Sequence, residues 1–508
     1  MAGMNDDSRH MNAPRRRGAF GGISAGYVPP APDGGARVAV GMSGGVDSSV
    51  TAALLLDAGY DVVGVTCLFE DGPRAQASVD DARAVARRLG IDHAVRDCTA
   101  DFKRHVIDPF VDAYARGLTP SPCVSCNVSC KVPSLLAAAD ELGCGVAATG
   151  HYARIVRRSG AVGVCVDAVA RGESAADSRA AAGAGSTAEG GSAADGLLDG
   201  SGWGGVSADA AVAGCAVGVS PAAGARGPEN GGRLAAAVAA YAPKDQSYML
   251  SMLTQSQLAR LILPLGGIAA GKPEVRRMAA DLGLSVASKS DSQDICFIEG
   301  SHVDFLAVRG AAGEPGRIVD TFGRELGRHE GLARYTIGQR KGIGIGGAPE
   351  PYFVVAKNAA QNELVVGFAR EALMDGVHAS GMNWQAVAPQ AAARAVGSAS
   401  GDAHAAGASA GTAAGLAGCV SPASAGTASI APAPVAEGAA SLPFTVKLRY
   451  RQRAVACRVS AEGGTAQAAR IALGSPQPLT APGQFAVLYD GDAVAGAGMI
   501  DRIDRMRG

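Results

Sequence analysis

RVAVGMSGGVDSSV, residues 37–50, has the pattern of a buried strand, a glycine-rich loop and the start of a helix. The apolar run at 37–41 predicts the strand, and apolar residues recur at helical spacing over residues 48–58. Glycine lets the backbone approach a ligand closely, and the free N–H groups at a helix N-terminus attract phosphate. The loop lacks the Gly-Lys-Ser/Thr ending that holds a transferred γ-phosphate, so it indicates a phosphate site of another kind.

Alternating strand and helix patterns continue after this loop. Further strands are predicted at 62–65 and from Ala94, and further helices at 80–89 and 102–114. Such alternation is typical of an α/β fold with a parallel sheet. We therefore predict an α/β nucleotide domain at 35–246, a small helical central domain at 247–315, and a C-terminal β-barrel-like domain of short strands and glycine turns at 316–508.

Composition separates the patterned regions from three others. The chain has 508 residues, of which 71 are glycine and only 5% are aromatic, so part of it packs no ordinary core. A leader at 1–34 and two Ala/Gly-rich insertions at about 159–232 and 388–440 contain few large apolar residues. Because such segments bury too little apolar area to offset chain entropy, we predict that all three are disordered.

Charge and cysteine content limit the class of protein. The 46 Lys and Arg residues nearly balance the 47 Asp and Glu residues, so an anionic partner would need a local basic patch. Apolar stretches long enough to span a membrane are absent from the sequence, and the arginines at 15–17 are not followed by the apolar run of a secretory signal. Eleven cysteines in such a chain favour a reducing compartment, and we predict a cytoplasmic enzyme.

Two cysteine segments suggest sulfur chemistry. In TPSPCVSCNVSCK (119–131) the Pro-x-Pro sequence predicts a stiff, non-helical loop that presents a thiol, and DSQDICFI (291–298) contains a further cysteine. Taken alone, Cys296 beside Ile and Phe fits a buried core residue equally well. The Cys123-x2-Cys126-x3-Cys130 spacing also leaves a metal or Fe–S site open, although we assign no metal ligand.

A basic stretch predicts the surface that would bind nucleic acid. If VKLRYRQR (446–453) is a strand, Lys447, Arg449, Arg451 and Arg453 lie on one face of it. Such a stripe supplies the phosphate contacts that a protein with no net positive charge needs.

The combination of motifs resembles one family. Residues 43–48 resemble the SGGxDS pyrophosphate loop (PP-loop) of the N-type ATP pyrophosphatases. Together with the cysteine segments, the chain is similar to the tRNA-specific 2-thiouridylases, the MnmA or TrmU family. The matching segments are 41–48, 119–131, 148–154, 244–250, 291–298, 335–347 and 447–452.

The resemblance implies a reaction and its residues. ATP, with Mg²⁺, would adenylate the C2 oxygen of the wobble uridine in tRNA; a persulfide on Cys296 would supply sulfur, with Cys126 as the second catalytic cysteine, releasing AMP and pyrophosphate. A cysteine desulfurase or sulfur-relay protein would donate the sulfur, and no membrane is involved. The ATP-binding residues implied are Gly41, Met42, Ser43, Gly44, Gly45, Val46, Asp47, Ser48, Cys67 and Gly150. Those implied for tRNA are Ser121, Pro122, Cys123, His151, Lys244, Asp245, Gln246, Arg449, Tyr450 and Gln484.

One departure and two alternatives accompany this interpretation. Many family members have Asn-Pro-Asp where this chain has Ser121-Pro122-Cys123, so a carboxylate with an acid/base role cannot be transferred to Cys123. Another PP-loop ligase, related to argininosuccinate or GMP synthetase, would not need Cys126 or Cys296. A non-catalytic tRNA-binding or sulfur-carrier protein would bind tRNA without producing AMP and pyrophosphate.

Overall fold

The computed structural model describes most of the patterned regions of the chain. The residues described are 35–158, 165–166, 232–290, 295–387, 442–463 and 465–506, with parts of 20–32. The predicted insertions therefore fall almost entirely outside the described residues, as does the leader before Phe20.

The first half of the chain builds a five-stranded parallel sheet, which confirms the predicted α/β fold. Its strands are β1 (Arg37–Gly41), β2 (Asp61–Leu68), β3 (Asp92–Asp97), β4 (Val146–Ala148) and β8 (Leu261–Ile262), in the order β3-β2-β1-β4-β8. Side chains alternate between the two faces of a strand, so Val38 and Val40 pack on one side of the sheet and Ala39 on the other. Strand β8 lies beyond the boundary predicted at residue 246 and extends this sheet.

Helices cover both faces of the sheet. They are α1 (Val46–Asp57), α2 (Pro73–Leu89), α3 (Thr99–Phe102), α4 (Asp108–Ala115), α5 (Pro122–Cys126), α6 (Val132–Glu141), α7 (Gln255–Ala259), α8 (Gly271–Asp281) and α9 (His302–Ala307). Helix α1 is apolar over nearly its whole surface and is almost fully buried, between the sheet and α8. Two π-helical turns, at Lys103–Ile107 and Asn127–Lys131, join α3 to α4 and α5 to α6. No helix in the described part of the chain is long and apolar enough to cross a membrane.

The C-terminal half is built from strands, as predicted. A small mixed sheet has the order β10-β9-β12-β11, with β9 Gly316–Asp320, β10 Glu325–His329, β11 Phe353–Asn358 and β12 Glu363–Gly367. The barrel strands are β13 (Leu373–Trp384), β14 (Leu442–Lys447), β15 (Val455–Ala461), β16 (Ala468–Pro478), β17 (Phe485–Asp490) and β18 (Ala493–Arg505). Pairing of β13 with β18 closes these six strands into a barrel.

The barrel sheet continues into strands from the first half of the chain. Strand β18 pairs with β7 (Arg233–Ala237), which pairs with β5 (Arg154–Arg158), and β5 pairs with β6 (Cys165–Val166). The barrel is therefore joined to the nucleotide domain by main-chain hydrogen bonds as well as by side chains.

The predictions for the leader and for the basic stretch do not hold. Part of the segment predicted as a disordered leader is packed, because Val28 and Ala31 are buried against α1 and the Phe20 amide donates to Asp57 Oδ1 at 2.8 Å. The prediction of a basic strand at 446–453 is also wrong, since β14 ends at Lys447 and the arginines after it lie in the connection to β15. Alternating basic residues fit an exposed turn as well as a strand face.

Candidate active site

The glycine-rich loop connects β1 to α1 at the carboxyl end of the sheet, where ligands bind in open α/β folds. Gly44 has φ +65°, and a Cβ there would lie 2.4 Å from the Ser78 carbonyl oxygen, so only glycine fits. A Cβ at Gly150, after β4, would lie 3.0 Å from the Ser48 amide nitrogen. The loop after β4 therefore approaches the α1 N-terminus closely, as the prediction that both bind one nucleotide requires.

Polar groups converge on Asp47 in the first turn of α1. Its Oδ1 accepts hydrogen bonds from the Tyr152 hydroxyl and from Lys272 Nζ, both at 2.8 Å, and its Oδ2 accepts from Lys272 Nζ at 2.7 Å. The Ser43 amide donates to Ser48 Oγ at 3.2 Å, which fixes the loop ahead of the helix. The carboxylate is therefore held in place and neutralised.

Met42 joins the start of this loop to strand β2, and Cys67 lies farther along the same strand. The Met42 amide donates to the Val65 carbonyl at 2.7 Å, and its carbonyl accepts from Thr66 Oγ1 at 2.8 Å. Cys67 is half-buried near the end of β2. A hydrogen bond with Cys98, together with burial, raises the pKa of the Cys67 thiol well above its usual range. Cys67 is therefore a neutral thiol at pH 7.

The predicted non-helical segment is limited to Pro120 and Ser121, and the cysteines after it lie on a helix and not on a loop. Ser121 precedes the helix, Pro122 is its first residue, and α5, the π turn and α6 then run from 122 to 141 without a break. Proline is favourable at a first helical position because that amide has no partner within the helix. Cys123 is exposed, whereas Cys126 and Cys130 are buried.

The surroundings of Cys126 stabilise its thiolate. Hydrogen bonds from the Cys130 thiol and the Lys131 amide, with the charge of the Lys131 ammonium, outweigh burial and lower the pKa of Cys126 to about 7. The thiolate of Cys126, the nucleophilic form, is therefore more populated at neutral pH than that of an ordinary cysteine.

The second cysteine segment lies against the same helix. Phe297 and Ile298 are buried in one cluster with Cys126 and Cys130, while Cys296 itself is exposed. Desolvation by the surrounding protein raises the pKa of the Cys296 thiol to about 11, although Lys131 opposes this shift. Desolvation also acts against the charge of Lys131, but the thiols of Cys126, Cys296 and Cys123 raise the pKa of its ammonium above the ordinary value. Both predicted catalytic cysteines thus act on one lysine.

The residues predicted to contact tRNA divide into two groups, and the first is bonded within the protein. Asp245 is buried and accepts hydrogen bonds from Ser247 Oγ and Lys447 Nζ, both at 3.0 Å. Gln246 Oε1 accepts from the Tyr152 amide at 2.9 Å. Gln484 Nε2 donates to the Thr119 carbonyl at 2.8 Å. These side chains hold the loops of the site in position.

The second group is more open to ligands. Cys123 is exposed, and its thiol contributes to a raised pKa of Tyr450, which is caused mainly by burial. Arg449 is exposed and donates to the Leu479 carbonyl, and Lys244 is half-exposed. Burial and Lys131 lower the pKa of His151 to about 3, so its imidazole is neutral at pH 7; its Nδ1 lies 2.8 Å from Thr149 Oγ1.

Family models match three parts of the chain. The tRNA methyl transferase HUP domain matches residues 36–171 and 222–300, the tRNA methyl transferase PRC-barrel domain matches 303–368, and the aminomethyltransferase beta-barrel domain matches 430–500.

Named relatives match over most of their length. A tRNA-specific 2-thiouridylase MnmA of Geobacter metallireducens is 34% identical over 92% of this chain and 96% of its own. One of Rhodospirillum rubrum is 37% identical over 93% and 98% of the two chains, and one of Azorhizobium caulinodans is 41% identical over 68% and 73%. The chain belongs to the tRNA-specific 2-thiouridylase family.

The cysteine spacing of this 2-thiouridylase left a metal or Fe–S site open. Among the described residues, no group of three or more His, Cys, Asp or Glu side chains could hold a metal ion. Cys123 is exposed, while Cys126 and Cys130 are buried in a hydrophobic cluster with Phe102, Phe110 and Phe297. The described geometry therefore offers no support for the cluster that the cysteine spacing left open.

Sequence reasoning missed three residues of this 2-thiouridylase site. Lys272 and the Tyr152 hydroxyl both bind Asp47, and Lys131 lies among the thiols. Lys272 is 225 positions from Asp47 and has no sequence pattern that points to it. Lys131 could have been found, because it follows Cys126 by five residues and a π turn brings its amide to the Cys126 thiol.

Proposed function

We propose that this protein catalyses ATP-dependent 2-thiolation of the wobble uridine in tRNA. The observation that carries the proposal is the pair of cysteines around Lys131: Cys126 with a pKa of about 7, and the accessible Cys296 on the neighbouring segment. An amide or ester ligase has no use for such a pair, whereas sulfur transfer requires a thiolate beside a thiol that can be loaded from outside.

The chemistry proceeds in two stages. The uracil C2 oxygen attacks the α-phosphorus of ATP and pyrophosphate leaves, which turns a poor leaving group into AMP. The terminal sulfur of the Cys296 persulfide then attacks C2, and AMP departs with the former oxygen. The Cys126 thiolate attacks Cys296 Sγ, breaking the S–S bond and leaving 2-thiouridine and a Cys126–Cys296 disulfide. An external dithiol reduces that disulfide before the next turnover.

Lys131 and the exposure of Cys296 suit these steps. Lys131 stabilises the Cys126 thiolate, and its charge favours the anionic form of a persulfide on Cys296. Exposure of Cys296 fits loading by a cysteine desulfurase or sulfur-relay protein. The eight cysteines whose side chains are described are all free thiols, which supports a reducing compartment such as the cytoplasm.

ATP and Mg²⁺ would bind at the glycine-rich loop. The loop N–H groups and the α1 N-terminus suit the phosphates of ATP. Magnesium in proteins is often held by one or two carboxylates with substrate phosphates and water, and Asp47 is the carboxylate that this loop offers. That arrangement fits Mg²⁺ arriving with ATP, where it would screen the phosphate charge.

Nucleoside analysis tests the proposal. Purified protein is incubated with wobble-uridine tRNA, ATP, Mg²⁺ and a persulfide source, and 2-thiouridine is quantified. We expect product from the wild type and a loss of at least about 1,000-fold in Cys296→Ser and in Cys126→Ser, because each removes a reacting sulfur. Cys457→Ala is the matched control, since burial in the barrel raises the pKa of that thiol to about 12 and keeps it inert.

Other outcomes identify the rival functions. AMP and pyrophosphate formation with an amine substrate, unchanged in both serine variants, would indicate a PP-loop ligase. Binding of tRNA without AMP, pyrophosphate or 2-thiouridine would indicate a non-catalytic protein. Either result overturns the proposal.

A further inference from the structure

Lys272 brings a buried positive charge to the glycine-rich loop from a distant part of the sequence. Its side chain starts at the second residue of α8, is only 7% exposed, and donates to both carboxylate oxygens of Asp47. The ion pair lies in the first turn of α1, at the end of the helix where the free N–H groups are.

Helix α8 holds this lysine firmly. Gly271 has φ +64° and packs so tightly that a Cβ there would lie 2.2 Å from Cγ of Tyr241. Val275 and Met278, farther along α8, are buried against the leucines of α1. The position of the ammonium is therefore set by two packed helices and not by a flexible surface segment.

Charge balance gives the lysine a role. A triphosphate bound at the α1 N-terminus brings several negative charges close to Asp47, and an uncompensated carboxylate there would repel it. An ammonium in a partly buried site binds phosphate through charge-assisted hydrogen bonds. The ammonium already lies at this end of the helix, where a bound phosphate would compete with Asp47 for its hydrogen bonds.

We propose that Lys272 is an ATP-binding residue whose ammonium contacts the β- and γ-phosphates in the Gly41–Ser48 loop. The assignment rests on the proposed ATP-dependent function and adds a residue to it. It also accounts for a buried lysine at a site where the loop itself contains none.

Equilibrium binding without tRNA tests the assignment. The probes are a non-hydrolysable ATP analogue, inorganic pyrophosphate and AMP, each with Mg²⁺. We expect Lys272→Met to lower the affinity for the ATP analogue and for pyrophosphate by about 10- to 100-fold, the range for a hydrogen bond to a charged group. The affinity for AMP should stay within about 2-fold of the wild type. Arg277→Met, on the exposed face of α8 where Arg277 pairs with Glu274 and Asp281, is the control and should bind all three probes normally.

A second pair of variants separates direct contact from simple neutralisation of Asp47. The Asp47→Asn variant has no carboxylate to neutralise at this position. Lys272→Met is added to it, and binding by the double variant is compared with binding by the single Asn variant. A loss that persists in this background supports contact with phosphate. The double variant leaves neither Asp47 nor Lys272 as an unpaired buried charge, so its binding can also be compared with the wild type if Lys272→Met alone folds poorly.

Three results would overturn the assignment: unchanged binding of the ATP analogue in Lys272→Met, an equal loss of AMP, or disappearance of the effect in the Asn background. None of them depends on thiolation. If the wild type binds ATP but makes no 2-thiouridine, the proposed function fails and the lysine assignment does not. If the wild type makes 2-thiouridine and Lys272→Met binds ATP normally, only the assignment fails.

Discussion

The glycine-rich loop and the cysteine helix both flank the parallel sheet, and one lysine serves each of them: Lys272 reaches the loop from α8, and Lys131 lies in the cysteine helix. The two lysines have different partners. Lys272 is paired with the Asp47 carboxylate, whereas the groups that act most strongly on the charge of Lys131 are thiols. A lysine paired with a carboxylate gives a site that is neutral until a phosphate arrives. A lysine among thiols favours deprotonation of one of them, so its charge adds to the Cys130 hydrogen bond in stabilising the Cys126 thiolate.

The largest expected effect is that of removing Lys131 on the reactivity of Cys126. Lys131→Met should raise the pKa of Cys126 by about 1 unit or more, because the nearby positive charge that favours the thiolate is gone. Alkylation of Cys126 by iodoacetamide should then reach half its maximal rate at about pH 8 or higher instead of near pH 7, and thiolation at pH 7 should fall by at least about 5-fold, the loss of thiolate that a 1-unit shift produces. A structural defect alone would lower the rate without moving this midpoint.

Two matched variants accompany that measurement. Lys103→Met removes an exposed lysine that pairs with Asp108, and should leave the alkylation profile of Cys126 unchanged. Lys272→Met should also leave it unchanged, since its partner is a carboxylate in the other region. A shift of the Cys126 midpoint in Lys272→Met would contradict the separation of the two regions.

A third lysine shows the cost of having no partner. Lys357 in β11 has a solvent-inaccessible Nζ with no hydrogen-bond partner among the described residues, and burial lowers the pKa of its ammonium to about 7. The same ammonium in the unfolded chain has a pKa of about 10. Burying the charged lysine therefore lowers the free energy of unfolding by its full amount below pH 7, and this loss of stability disappears as the pH rises from 7 to 10. Lys357→Met should therefore raise the free energy of unfolding by about 1–3 kcal/mol at pH 7, a discounted figure for a half-exposed residue.

Denaturant unfolding at pH 7 and pH 10 measures this effect. The advantage of Lys357→Met should shrink at the higher pH. An equal gain in the free energy of unfolding at pH 7 and pH 10 would mean that the gain comes from packing. Lys357 would then no longer represent an unpaired buried lysine against which Lys131 and Lys272 are compared.

The smallest expected effect concerns the third contact of Asp47. Tyr152→Phe removes the hydroxyl that donates to Asp47 at 2.8 Å and keeps the buried ring. A loss of about 1 kcal/mol is typical of one such hydrogen bond, so the ATP analogue should bind about 5-fold more weakly. The titration designed for Lys272 measures it, and binding at the wild-type level would show that Asp47 needs only the lysine.

How much the sequence predicted depends on how local each feature is. The strand, loop and helix at 37–58 were correct, because glycine positions and apolar spacing act within a few residues. The prediction that the Pro-x-Pro segment presents a thiol on a loop was wrong beyond Ser121, because proline both terminates helices and starts them, and only the packing of 122–141 distinguishes the two. The contact of Lys272 with Asp47 could not be predicted, since it depends on α8 packing against α1.

The contact between Arg233 and the end of β13 has a practical consequence. Arg233 Nε donates to the Gln385 carbonyl at 2.9 Å, and a second guanidinium nitrogen donates to the Trp384 carbonyl at 2.6 Å. Arg233 comes just after the first long Ala/Gly-rich stretch of sequence, and Gln385 just before the second. The end of the first stretch and the start of the second therefore lie side by side on the folded protein, and an engineer could graft a reporter or affinity tag there without cutting any strand of the barrel.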